Sequence, residues 1–160
     1  MTGLLFRDDA FLKDCQAIVS ATNERGGIML DQTVFYATAG GQPGDRGKII
    51  WDGGECAVAT TVYDEHKHVV HVPASGAAIP PIGARVTARL DWNNRYRNMR
   101  AHTLMHLLCA SVPFPVTGGA ISEDGGRIDF DIPEGQIPGK TELCARINRL
   151  ITEDHAVTFR

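Results

Sequence analysis

The run from Asp91 to Val112 contains neither glycine nor proline and is stopped by Pro113, which marks it as a helix. The Asp91 carboxylate can accept a hydrogen bond from a free amide of the first turn, which makes it the N-cap. The pattern predicts a helix over residues 93–111. On it His102 and His106 stand four apart, so the two imidazoles lie one above the other on one face. Two neutral ring nitrogens so placed can converge on one divalent metal, usually zinc. The same spacing also arises by chance. A metalloprotease helix carries its glutamate base directly after the first histidine, and here Thr103 holds that place, so a protease of that type is not expected.

Ahead of the helix the chain is a series of short β-like runs separated by turns. Residues 15–22 alternate, residues 23–27 (Asn-Glu-Arg-Gly-Gly) turn, and Ile28, Met29 and Leu30 return, which describes a hairpin. Residues 47–51 pair with 55–63 around Asp52-Gly53-Gly54, residues 68–72 and 85–90 add two strands, and 77–83 is a connecting loop. About six short strands with glycine-rich turns and no helical period predict a small closed or nearly closed barrel. The domains expected are therefore a β-barrel over residues 1–91 and a second domain over 92–160.

Between the first hairpin and the next strand lie residues 31–47, longer than a turn needs to be. Phe35 and Tyr36 precede Gly40 and Gly41, whose exposed amides can approach a ligand closely, and Gln42 adds a side-chain amide. The alternative is a long structural loop. After the helix, residues 116–121 and 126–131 are expected to pair, and 133–139 form a loop. A second helix starts at Thr141, with Leu143, Ile147, Leu150 and Ile151 as a core stripe and Cys144 buried beside it. Residues 155–160 read as a further strand.

With a net charge of −3, no global field recruits nucleic acid, so such contacts need a local patch. Arg85, Arg89, Arg95, Arg97 and Arg100 supply one, with Asp91 as the only acid among them. Such a cluster suits a phosphate backbone, unless some of these arginines pair with acids elsewhere or lie on a solvated face. Cys15, Cys56, Cys109 and Cys144 form no CxxC pair and read as reduced thiols of a cytoplasmic protein. The N-terminus has too short an apolar run for a signal peptide, and no stretch approaches a membrane span.

Three motifs occur in order: residues 30–36 (Leu-Asp-Gln-Thr-Val-Phe-Tyr) with Gly40-Gly41-Gln42-Pro43; Asp91-Trp92, Arg95 and Met99-Arg100-Ala101-His102-Thr103-Leu104-Met105-His106-Leu107-Leu108; and Arg127-Ile128-Asp129-Phe130. Together they resemble the alanyl-tRNA editing proteins (the AlaX group), which are similar to the editing domain of alanyl-tRNA synthetase. The resemblance runs over nearly the whole chain. It implies an ATP-independent, zinc-dependent hydrolase that removes serine, and in longer members glycine, wrongly attached to the alanine tRNA. The implied fold is α+β: a small N-terminal β-barrel, then an α/β two-layer editing domain whose HxxxH helix packs on an antiparallel sheet. His102 and His106 carry over as zinc ligands and, with Gln42, as catalytic residues. Gly40 and Gly41 match the loop that faces the substrate. Thr117, placed shortly before residues 127–130, is the candidate that senses the serine hydroxyl, and Arg95, Arg97 and Arg100 are the candidate tRNA contacts.

One departure stands out. The family completes its zinc site with a Cys and a His in a CxxxH motif far beyond the HxxxH pair, whereas this chain ends 54 residues after His106. Cys144 is followed four positions later by Asn148 and is no substitute. The sequence therefore resembles an editing protein lacking its C-terminal part, with an incomplete zinc site and an editing domain exposed to self-association. The alternative is a non-catalytic tRNA- or RNA-binding module with a vestigial metal pair.

Overall fold

Alternation decides the first half of the molecule. The computed structural model describes residues 2–122 and 125–156, in two units, Met1–Asn98 and Met99–Arg160. In the first unit the strands are β1 (Gly3–Leu4), β2 (Asp14–Thr22), β3 (Ile28–Leu30), β4 (Gln32–Thr33), β5 (Gly47–Trp51), β6 (Gly54–Tyr63), β7 (Val69–Pro73) and β8 (Arg85–Leu90). Six of them close an antiparallel barrel in the order β2-β3-β7-β6-β5-β8, with β8 returning to β2 through pairs such as Ala17↔Val86. β1 pairs parallel with β4 outside it. Along β2 the inward positions Ala17 and Val19 are buried between exposed neighbours, and along β8 Val86, Ala88 and Leu90 are buried in alternation with the more accessible Arg85, Thr87 and Arg89. With Ile28, Leu30, Ile49, Cys56 and Val58 they fill the barrel. Closure pairs the strand edges that an open sheet would leave exposed.

The hairpins fall where the turn residues put them. β2 pairs with β3 through Thr22↔Ile28, and β5 with β6 through Trp51↔Gly54 across a two-residue turn in which Gly53 has a positive φ.

One polar chain runs through this core. The buried His71 accepts from the Thr33 hydroxyl at Nε2 (2.8 Å) and donates from Nδ1 to the Ile28 carbonyl (2.9 Å). The Thr33 oxygen in turn accepts from the Phe35 amide at 3.0 Å. Every polar atom of the imidazole is satisfied in its neutral form, as burial requires.

The second unit contains the larger part of α1 (Trp92–Ser111), the antiparallel pair β9 (Val116–Ser122) and β10 (Gly125–Phe130), and α2 (Lys140–Glu153). Asp91 caps α1 as expected, its Oδ1 accepting from the Asn94 amide at 3.1 Å. Met105 of α1 lies against Gly119 and Gly126 of the hairpin, so the helix packs on an antiparallel sheet. α2 is held to the end of α1 by Arg146, which donates from Nη1 to the Ser111 carbonyl at 3.0 Å.

Two expectations need correction. Leu143, Ile147 and Leu150 are only half-buried, Ile151 is exposed, and Cys144 is exposed rather than buried. The described residues supply no layer over that stripe, so it is not a core. Of the strand expected at 155–160, His155 and Ala156 lie outside any strand, and residues 157–160 fall outside the described residues.

Burial holds the His71 pKa down from 6.5 to about 4. The native state therefore binds fewer protons than the unfolded chain between these values, and stability falls as pH drops through the interval. From about pH 7 to about pH 4 this group should remove about 3 kcal/mol of stability. An NMR titration of the His71 ring that returns an ordinary midpoint would refute this.

Candidate functional site

Residues 31–47 send several buried side chains into the first unit. Val34, Phe35 and Ala37 are fully buried, and the Phe35 ring meets His71 edge-on with centroids 5.0 Å apart. The segment is tied down at Thr38, whose amide donates to the Thr61 carbonyl at 2.9 Å. A Cβ at Gly44 would fall on that same carbonyl, so only glycine fits there. Gly40 and Gly41 both have positive φ and form the centre of a tight turn, closed by Ala39 and Gln42 exchanging backbone hydrogen bonds at 3.2 and 2.9 Å. Two positive φ values in succession are the demand of a type I′ turn, which accounts for the Gly-Gly pair locally. Both glycines are exposed. Gln42, expected to offer its amide to a substrate, is instead 4% exposed, because the turn folds it back into the loop.

The loop is clamped by an ion pair. Asp45 accepts from Arg95 Nε at 3.1 Å (Oδ1) and 2.9 Å (Oδ2) and from the Tyr36 amide at 2.6 Å. Arg95 Nη2 lies 2.8 Å from Asp45 Oδ2 and donates to the Val34 carbonyl at 2.7 Å. Burial pushes the Asp45 carboxyl up, while the Arg95 charge and the Tyr36 amide pull it back down.

This revises the arginine cluster. Arg95 is 2% exposed and engaged on the loop, so its guanidinium is not offered to solvent as the other four are. Arg85, Arg89, Arg97 and Arg100 are exposed. Arg89 stands 3.7 Å from Asp14, an exposed pair of little energetic weight. Sequence could have flagged Arg95 only through its partner fifty positions earlier, and nothing local connects the two.

In the second unit the His102 and His106 rings stack at 4.9 Å between centroids and 15° between planes, as two residues one helical turn apart should. His102 is half-buried and His106 exposed; burial, and then the neighbouring His106, pushes the His102 pKa down. Two imidazoles at this spacing match two positions of a tetrahedral zinc shell. Among the described residues no group of three or more His, Cys, Asp or Glu is placed to hold a metal. Thr117 lies on β9 and is exposed. Burial also raises the Cys15 and Cys56 thiol pKa values, so neither is an activated nucleophile. No helix is long and apolar enough to cross a membrane among the described residues.

The sequence of the chain matches a known family and known proteins. The model of the family described as tRNA synthetases class II (A) matches residues 5–94. The chain is 32% identical to alanyl-tRNA editing protein AlaX-M of Methanosarcina acetivorans, over 99% of this chain and 69% of that protein. It is 34% identical to AlaX-M of Pyrococcus horikoshii, over 96% of this chain and 71% of that protein. It is also 36% identical to the alanine–tRNA ligase of Pyrobaculum neutrophilum, over 91% of this chain but only 16% of the ligase. The chain therefore belongs to the class II (A) tRNA synthetase family and, within it, to the alanyl-tRNA editing proteins.

Removing one member of a buried ion pair strands the other. Arg95→Met should lower the unfolding free energy by about 3–5 kcal/mol, whereas Arg97→Met at an exposed position should change it by less than about 0.5 kcal/mol. Urea denaturation of the two variants checks this, and similar losses would refute the clamp.

Proposed function

We propose that this protein is a trans-editing hydrolase that deacylates alanine tRNA mischarged with serine, with glycine as a second substrate class. The observation that carries this reading is similarity to alanyl-tRNA editing proteins over nearly the whole chain, with the helix histidines paired in the same stretch. The substrate bond is an ester between an aminoacyl carbonyl and a ribose hydroxyl of the terminal adenosine, and its hydrolysis needs a water aimed at the carbonyl and stabilisation of the oxyanion.

His102 and His106 would hold zinc through two ring nitrogens. When bound, the metal would supply Lewis-acid polarisation of the carbonyl and activation of water. No carboxylate flanks either histidine in sequence, so we assign proton transfer to the substrate's own polar groups. Alanine is the cognate amino acid, so selectivity rests on a group alanine lacks. The Thr117 hydroxyl, exposed in the free protein, would pair with the serine hydroxyl once bound substrate covers it, and a covering substrate without that group would leave it unpaired. Gly40 and Gly41 would approach the substrate through their backbone, and Arg97 and Arg100 would contact tRNA phosphates.

A second reading, a non-catalytic tRNA-binding module, is favoured by one observation: among the described residues no group of three or more His, Cys, Asp or Glu is placed to hold a metal. A deacylation assay on serine-charged alanine tRNA, run beside zinc analysis after dialysis, separates the two. Loss of a direct metal ligand should exceed the ten- to hundredfold cost of losing a residue that supports one. His102→Ala or His106→Ala is therefore expected to lower both zinc content and turnover, the latter by more than about a hundredfold. Absence of turnover in the zinc-loaded wild type would decide for the binding module.

Thr117→Val keeps the shape of the side chain and deletes the hydroxyl. Serine removal should slow by about tenfold, the worth of one hydrogen bond, with little change for glycine. Equal losses for both amino acids would make Thr117 merely structural.

A further inference from the structure

The start of α1 is built inside out. Asn94, Arg95 and Asn98 face inward and are buried, while the aromatic residues of the same turns face the surface. Arg46 donates from Nη2 to Asn94 Oδ1 at 2.8 Å, and Arg95 is engaged by Asp45, so the inward face is occupied by polar fastening. Outside, Trp92 and Tyr96 stack with centroids 5.7 Å apart and planes 19° apart. Phe11, from the segment before β2, meets Trp92 at 5.9 Å. The end rings of this row are open: Phe11 is 61% exposed and Tyr96 43%. Local rules of burial are broken in this way chiefly where a surface has a job.

The row has a basic border. Lys13 Nζ sits 5.2 Å over the Trp92 ring, and the Lys13 carbonyl accepts from the Leu90 amide. Leu90 is also part of a cleft of about 400 Å³ lined by Arg46, Gly47, Lys48, Val58, Arg89, Leu90 and Asp91. The ring row thus continues into a cleft carrying three cationic side chains. Lys48 pairs with Glu55 at 2.7 Å and Arg89 with Asp14 at 3.7 Å, while Arg46 is held by Asn94. Both pairs are exposed, and exposed pairs are weak and screened, so either cation can be shared with an arriving phosphate.

Exposed rings beside a basic cleft are the two parts of a sequence-tolerant single-strand site: bases stack on the rings and the backbone tracks the charge. A duplex can offer such a row at most the open face of its terminal pair, because its interior bases are already stacked on both sides. We propose that Phe11, Trp92 and Tyr96, with Lys13 and the Arg46–Lys48–Arg89 cleft, bind unpaired RNA, namely the single-stranded 3′ end of the tRNA substrate. Trp92 is the spacer that holds the outer rings, Phe11 and Tyr96 take the bases, and the cations take phosphates. The assignment of the occupant rests on the editing function proposed above; the surface itself rests on ring geometry and charge.

The test uses the full chain and a short single-stranded RNA with the sequence of a tRNA 3′ end, beside a blunt RNA duplex of equal length. Phe11→Leu and Tyr96→Leu should each weaken single-strand binding by about tenfold, the usual worth of one base–ring stack. Tyr96→Phe, which keeps the ring, should restore it. Arg89→Gln should leave stacking intact and lower the salt dependence of binding by about one phosphate contact. Thermal melting of each variant separates lost contact from lost fold. Equal affinity for both RNAs, or single-strand binding that ignores both ring substitutions, overturns the proposal. So would a dimer that the ring substitutions dissolve without touching RNA affinity, since the rings would then seat a second copy. Deacylation on the same preparations keeps the two readings apart. Turnover with ring-independent RNA binding refutes the surface alone, and ring-dependent binding without turnover refutes the editing function alone.

Discussion

The Asp45–Arg95 pair is the contact on which the first unit depends. Withdrawing a carboxylate and a guanidinium from water is costly, and mutual attraction offsets that cost only when the remaining hydrogen-bonding capacity is also met. Here it is largely met: the carboxylate takes the Tyr36 amide and the guanidinium takes the Val34 carbonyl. Both of those groups belong to the segment of residues 31–47. The pair therefore fixes where residues 34–45 run, and with them the turn at Gly40 and Gly41. It also fixes the first turns of α1 against the barrel, since Arg95 is one of their residues.

That fastening explains why α1 reads so weakly as an amphipathic helix. Its early turns bury polar side chains and expose rings, and its later turns carry the half-buried His102 and the exposed His106. A helix whose inward face is apolar throughout gains stability from area removed from water. This one relies in its first turns on specific polar geometry, which tolerates substitution poorly but holds the loop in a single arrangement.

The second unit has a thinner interior. Val112 and Ile121 are buried, whereas the α2 stripe is only half-covered and Leu104, Val116 and Ile151 are exposed. Burial of apolar area is the main favourable term in folding, so this unit gains less from its own residues than the barrel does.

Much of this was written in the sequence. Strand alternation with glycine turns was sufficient for a closed barrel, because period-two burial leaves an antiparallel ring of strands few other ways to hide its apolar face. Asp91 capped the helix it was expected to cap, and the spacing of His102 and His106 fixed their stacking, because both are local consequences of helical geometry. What tertiary structure alone decided involved partners distant along the chain. Arg95 reads as one more arginine in a basic run until Asp45 is found beside it. Gln42 reads as an amide offered to a ligand until the Gly-Gly turn folds it inward. Periodicity reports which face of an element is apolar, but not which element, if any, arrives to cover it. The row of Phe11, Trp92 and Tyr96 came from neither motif nor period, since it joins a helix to a segment more than eighty positions earlier.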